Sequence, residues 1–134
     1  MKNSEADAKR WLSQAINDLA FSRLALRESY FTQTCFMSHQ VAEKALKSLA
    51  YFRGDRDVMG HSLSGRVASL EETHPEIKEF HSITGRLDQF YVPTRYPDAL
   101  PGGTPFEAYD REQAEEAVAS AARIVAFAEG VINS

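Results

Sequence analysis

Two long stretches of helical apolar period, separated by a break of a few residues, constrain this chain more than any other feature. Ala8, Trp11, Leu12, Ala15, Ile16, Leu19 and Leu26 recur at three- and four-residue steps, so Ser4 or Glu5 through about Ser29 reads as one amphipathic helix that Ser4 can cap. After a break around Tyr30 to Thr34, a second helix runs to about Arg53, and Gly54 suits the left-handed residue at which many helices stop. So short a link makes the pair an antiparallel hairpin.

Beyond a charged connector from Asp55 to His61, Leu63, Val67 and Leu70 mark a shorter third helix ending near Thr73. Pro75 forces a new start. Thr73 with Glu76 fits a capping box, and Ile77, Phe80, Ile83, Leu87 and Phe90 give the buried stripe of a fourth helix that stops before Pro93. From Pro93 to Tyr109 the chain holds four prolines and the adjacent Gly102 and Gly103, which break helix and strand alike. Such a long loop is more often functional or disordered than idle. Asp110 with Gln113 then caps a last helix whose Ala114, Ala117, Val118, Ala121, Ile124, Val125, Ala128 and Ile132 form an alanine-rich face suited to close contact. No strand-like alternation and no internal repeat occurs. With 134 residues, 43% of them apolar and 25% charged, the chain has room for one domain over residues 1–134. The expected architecture is all-α, an antiparallel up-and-down bundle of about five helices with a Pro/Gly-rich loop before the last.

A net charge of −4 argues against a general polyanion-binding surface, so any phosphate contact must be local. Cys35 is the single cysteine, reads as a small buried thiol, and leaves no metal quartet and no internal disulfide. No metal or cofactor is expected. The N-terminus lacks an apolar signal core and no apolar run nears the ~20 residues that span a bilayer, which gives a cytoplasmic address and no membrane partner.

Two polar clusters exceed what helix packing requires. On the second helix, Val41, Ala42, Ala45, Leu46 and Leu49 fall on one side at ~100° per residue and Gln40, Glu43, Lys44 and Lys47 on the other, with His39 at the border. One reading is a solvated face with an i,i+4 pair between Glu43 and Lys47; the other gives Lys44 and Lys47 to a phosphate. At the end of the fourth helix, Asp88 and Tyr91 lie a turn apart with Arg95 just beyond. Arg95 can bridge to Asp88 or Asp98 as a latch, or offer its planar fork to phosphate while Tyr91 and Tyr96 stack on a base.

The ordered motifs resemble the HEPN domain family, named for its occurrence in higher eukaryotes and prokaryotes. They are Trp11 and Ala15-x-x-Asp18-Leu19, then Phe36-x-x-His39-Gln40-x-x-Glu43-Lys44-x-x-Lys47, His61-Ser62-Leu63, Leu87-Asp88-x-x-Tyr91, Thr94-Arg95-Tyr96-Pro97-Asp98, and Ala114-Glu115. The resemblance covers nearly the whole chain. It implies a compact helical bundle, commonly a homodimer, in many prokaryotic members acting with a minimal nucleotidyltransferase in a toxin–antitoxin-like pair. Other members are metal-independent ribonucleases marked by an arginine followed four to six residues later by histidine. Here Arg56 and His61 alone have that spacing, in the connector before the third helix and not in the usual setting. His61 also matches the family's His-Ser-Leu motif, where it can cap the third helix.

Three functions follow. The first is a nucleotide- or RNA-phosphate-binding accessory module, with Lys44, Lys47 and Arg95 on phosphate, Tyr91 or Tyr96 on a base, and Gln40, Glu43, Asp88 and Asp98 as a polar latch. The second is a metal-independent ribonuclease in which His61 acts as acid and base and Arg56 or Arg95 stabilises the developing charge. The third is a non-catalytic protein-interaction module.

Overall fold

The computed structural model describes residues 4–56 and 58–134, and its axis is the second helix. The α-helices are α1 (Ser4–Arg27), α2 (Phe31–Phe52), α3 (Leu63–Leu70), α4 (His81–Asp88), α5 (Pro105–Ala108) and α6 (Arg111–Ile132), with 3-10 turns at Pro75–Phe80 and Pro97–Ala99. No strand occurs among the described residues, so the all-α bundle expected from the periodicity is the fold. Helices α1 and α6 pack along α2 and on each other, while α3 and α4 form a side pair against it. Fourteen of the 22 residues of α2 are buried, so this helix has almost no solvent side.

Small residues set the closeness of the long helices. Ala8, Ala15 and Ser22 recur every seven residues on α1 with no exposure, and α6 turns Ala114, Ala121 and Ala128 inward in the same way. Ser22 Oγ and Ser38 Oγ hydrogen bond at 2.9 Å across the α1–α2 contact, which satisfies two hydroxyls that burial would otherwise leave unpaired. Ile16 lies off the buried face of α1 and is 41% exposed, so the helical period extends past the true core edge there.

Most helix ends follow their local signals. Gly54 stands at φ 103°, and Asp110 and Gln113 form a reciprocal capping box. Ser4 is already helical and does not serve as the cap expected of it. The first break is tighter than the sequence suggests: Ser29 takes the left-handed conformation at φ 67°, and α2 begins at Phe31. The fourth helix differs more. Pro75 opens a 3-10 turn, α4 begins only at His81 and ends at Asp88, and the Thr73–Glu76 box does not form, because Thr73 Oγ1 accepts from Arg53 at 3.2 Å. Inside the expected loop, Thr104 and Glu107 make a capping box for the one-turn α5. Thr32 Oγ1 ties that turn to α2 by donating to the Pro105 carbonyl at 2.9 Å.

Cys35 is fully buried, and its thiol is pushed up from 9.0 to about 12, first by burial and second by the Asp110 carboxylate. The unfolded thiol ionises from about pH 9 while the folded one keeps its proton to about pH 12. The folded state therefore holds the extra proton in that window, and stability falls as pH rises through it. A thiol-reactive dye at mildly alkaline pH should label Cys35 only on unfolding, and Cys35→Ala should flatten the alkaline loss of stability. Rapid labelling of the folded protein would contradict the assignment.

Candidate functional site

Because α2 is enclosed, its polar residues form buried contacts and not a wet face. Glu43 is 8% and Lys47 7% exposed, and Lys47 Nζ lies 2.9 Å from Glu43 Oε2. The i,i+4 pair forms as its spacing allows, but under the cover of α1, where the Lys47 ammonium sits 5.5 Å from the Trp11 ring and Trp11 stacks on Tyr51. Lys44 is paired with Asp18 of α1. Both lysines of the second helix are thus neutralised by carboxylates of the protein itself.

The other oxygen of Glu43 faces the connector. His61 Nδ1 lies 3.1 Å from Glu43 Oε1, which orients the ring, and the imidazole remains 55% exposed. His39, with no exposure, points its Nε2 at two acceptors: the His61 carbonyl at 3.1 Å and Asp88 Oδ1 at 3.4 Å. That nitrogen bears a hydrogen in this arrangement. Gln40 Oε1 lies 3.2 Å from the other ring nitrogen.

Asp88 also anchors α3. Its carboxylate accepts from the Leu63 amide at 2.8 Å and the Ser64 amide at 3.0 Å, two of the donors that a helix start leaves without partners. Ser62, not His61, is the N-cap, its hydroxyl accepting from Gly65.

Beyond α4, residues 91–95 hold an arginine among rings. The Arg95 guanidinium lies 4.7 Å from the Phe36 ring centre, 4.5 Å from Tyr91 and 5.1 Å from Tyr96, and its Nε donates to the Tyr91 carbonyl at 2.9 Å. The expected bridge to Asp88 or Asp98 does not form. Asp88 serves α3 and His39, and Asp98 is exposed without an ion-pair partner among the described residues. His61 stacks on Tyr91 at 4.7 Å and 21°. Tyr91 is thus flanked by three groups of the protein itself, His61, Arg95 and His39, whose ring centre lies 5.0 Å away. Tyr96 is 51% exposed and keeps an open side.

The structure thus brings His39, Glu43, His61, Asp88, Tyr91 and Arg95 into one connected cluster. Arg56 is exposed, and no hydrogen bond, ion pair or cation–π contact joins it to the cluster among the described residues; Asp57, within its spacing to His61, lies outside them. Phe36 was legible only as a motif position. Nothing in local spacing brings residue 36 to residue 95, so its place under Arg95 emerges only when α2 and the loop are assembled. No group of three or more His, Cys, Asp and Glu side chains suited to a metal ion occurs among the described residues. No helix described is long and apolar enough to cross a membrane.

Fold and cluster together define a small all-α bundle domain with a polar central helix and an aromatic-held arginine beside it. The HEPN domain model matches residues 8–131, and the chain belongs to the HEPN domain family. It is similar to the protein TT1696 of Thermus thermophilus, at 38% identity and a TM-score of 0.87 over 92% of this chain and 96% of that one. An archaeal HEPN homologue, ST0689, is 36% identical with a TM-score of 0.78, covering 98% and 99% of the two chains. A HEPN domain protein of Thermotoga maritima is 28% identical with a TM-score of 0.73, over 92% and 98%. Among curated proteins none matches the chain.

Three stability outcomes follow from the contacts. Asp88→Ala should cost about 2–4 kcal/mol, since charge-assisted bonds to two helix-start amides and to His39 are lost together. Arg95→Ala should cost under ~1 kcal/mol, the size of an exposed cation–π contact, and the two changes should add in urea denaturation. A coupling above ~1 kcal/mol between them would restore the direct latch. Lys47→Ala should cost about 3 kcal/mol, because it leaves a buried carboxylate short of its cation. The few tenths expected of an exposed i,i+4 pair would refute that burial.

Proposed function

We propose that this HEPN domain binds nucleotide or RNA phosphate at Arg95, as a cytoplasmic homodimer working beside a minimal nucleotidyltransferase in a toxin–antitoxin-like pair. Family membership supports the dimer and the partner class. The observation that carries the ligand reading is the state of the cations around the cluster. Lys44 and Lys47 are each held by a carboxylate, whereas Arg95 has only its Nε engaged among the described residues, and by a neutral carbonyl. Its terminal nitrogens form the planar fork that phosphate oxygens accept, and three rings hold that fork in place before any ligand arrives. Such a site is local, as the acidic balance of the chain requires.

One observation favours a catalytic reading as well. The buried Glu43 carboxylate orients the half-exposed His61, and His61 shares the Tyr91 ring with Arg95. An oriented imidazole beside a phosphate-binding arginine has the parts of a metal-independent ribonuclease, with His61 as acid and base and Arg95, in place of Arg56, stabilising the developing charge.

Nucleotide titrations test the first reading. Arg95→Ala should weaken binding roughly ten- to a hundredfold, as loss of a charge-assisted phosphate contact predicts. Lys44→Ala, measured on folded protein, should change affinity little. Unchanged affinity in Arg95→Ala would remove the phosphate site and leave the interaction-module reading. For the second, wild type should cleave RNA without metal and His61→Ala should not. No cleavage by wild type across varied RNAs would remove the enzyme.

A further inference from the structure

Lys47, Glu43 and His61 form a continuous chain of polar contacts whose two ends differ in exposure. The Glu43 carboxylate divides its oxygens, Oε2 lying 2.9 Å from Lys47 Nζ and Oε1 3.1 Å from His61 Nδ1. Lys47 and Glu43 are buried, and the ammonium lies over the Trp11 ring of α1, whereas the imidazole opens to solvent. Among the described residues, the other groups around His61 are the Tyr91 ring stacked on it and the Arg95 guanidinium on that same tyrosine. His39 meets the His61 carbonyl and not its ring, and Asp88 faces His39 and the α3 amides.

An ionised carboxylate can only accept, so the hydrogen between Glu43 and His61 belongs to Nδ1. In neutral His61 the tautomer is therefore fixed, and Nε2 keeps its lone pair. A general base needs that form. A lone buried carboxylate would draw a further proton onto the imidazole, because an opposite charge within reach favours the charged ring. Here the carboxylate already has a cation. A protonated His61 would set a second positive charge one carboxylate away from Lys47, with Arg95 as a third beyond Tyr91.

We infer that Lys47 is a positioning residue for His61: by occupying Glu43 it opposes a second proton on the imidazole, and so leaves Nε2 ready to take one from a substrate hydroxyl. When that transfer occurs, the hydroxyl oxygen loses the proton and Nε2 gains it. The positive charge then formed rests on a ring whose Nδ1–H already points at Glu43. The inference rests on the catalytic reading for its use, and its test does not need cleavage.

A pH titration of the full chain, followed by NMR of the histidine rings and lysine side chains, reads the arrangement directly. In wild type the Lys47 Cε and Nζ resonances should shift at the His61 midpoint, and the His61 ring should show its hydrogen on Nδ1 at high pH. Lys47→Met keeps most of the apolar stem and removes the charge. Its His61 should hold the proton about tenfold more tightly, a midpoint about one pH unit higher than in wild type. Leu49→Ala, a core change of similar cost on the same helix with no change of charge, should leave the midpoint in place. A midpoint that stays put in Lys47→Met, or moves as far in Leu49→Ala, overturns the inference. If Lys47→Met does not fold, wild-type Lys47 resonances that ignore the His61 midpoint overturn it alone. Where wild type cleaves RNA, the rise of kcat/KM with pH should move up in Lys47→Met by the same amount as the midpoint. Coupled titration without any cleavage removes the ribonuclease and keeps Lys47 as the holder of His61; cleavage with uncoupled titration does the reverse.

Discussion

Several polar side chains that α2 buries find partners on other elements, and those bonds place much of the rest of the domain. A carboxylate or imidazole left without a partner in the interior costs several kcal/mol, more than a helix gains from any single surface contact. Glu43 therefore needs Lys47 on one oxygen and can draw His61 to the other. His39 needs acceptors and receives the carbonyl of His61 and the carboxylate of Asp88. The connector and the end of α4 are fixed to α2 by these bonds as much as by apolar packing. Asp18 meets Lys44 in the same way from α1. The bundle is held by a hydrocarbon core on one side of α2 and by a polar seam on the other.

The legible part of this structure was the part governed by short-range rules. Apolar period located the long helices, and Gly54 and the Asp110–Gln113 pair ended or began them where local chemistry said they would. Thr73 and Glu76 had the same local form yet failed, because Pro75 favoured a 3-10 turn and Arg53, twenty residues away, took the threonine hydroxyl. The Thr104–Glu107 box was hidden by the prolines and glycines around it, which dominate any composition-based reading of that loop. The polar side of α2 was misread as wet for a different reason. A helical wheel reports which residues share a face but not whether a second layer covers that face, and here α1 and the connector do. The Arg95 surroundings were the least accessible, since they combine rings from residues 36, 91 and 96.

The cluster shows how a cation can be held in place without a carboxylate beside it. Arg95 is not surrounded by other cations. Its neighbours are aromatic faces, whose negative quadrupoles hold the guanidinium without neutralising its outer nitrogens. The lysines that the sequence pattern made equally attractive are compensated within the protein, so their charge contributes to folding and little to the surface field.

Asp88 is the last residue of α4, and its carboxylate ends on the first turn of α3, some 25 residues earlier in the chain. The turn carrying Tyr91 and Arg95 leaves α4 at that same point. A displacement of this turn therefore pulls on the start of α3, and through the His61 carbonyl on the buried ring of His39 as well. The arginine thus sits on a corner braced at Asp88 on one side and by aromatic rings on the other.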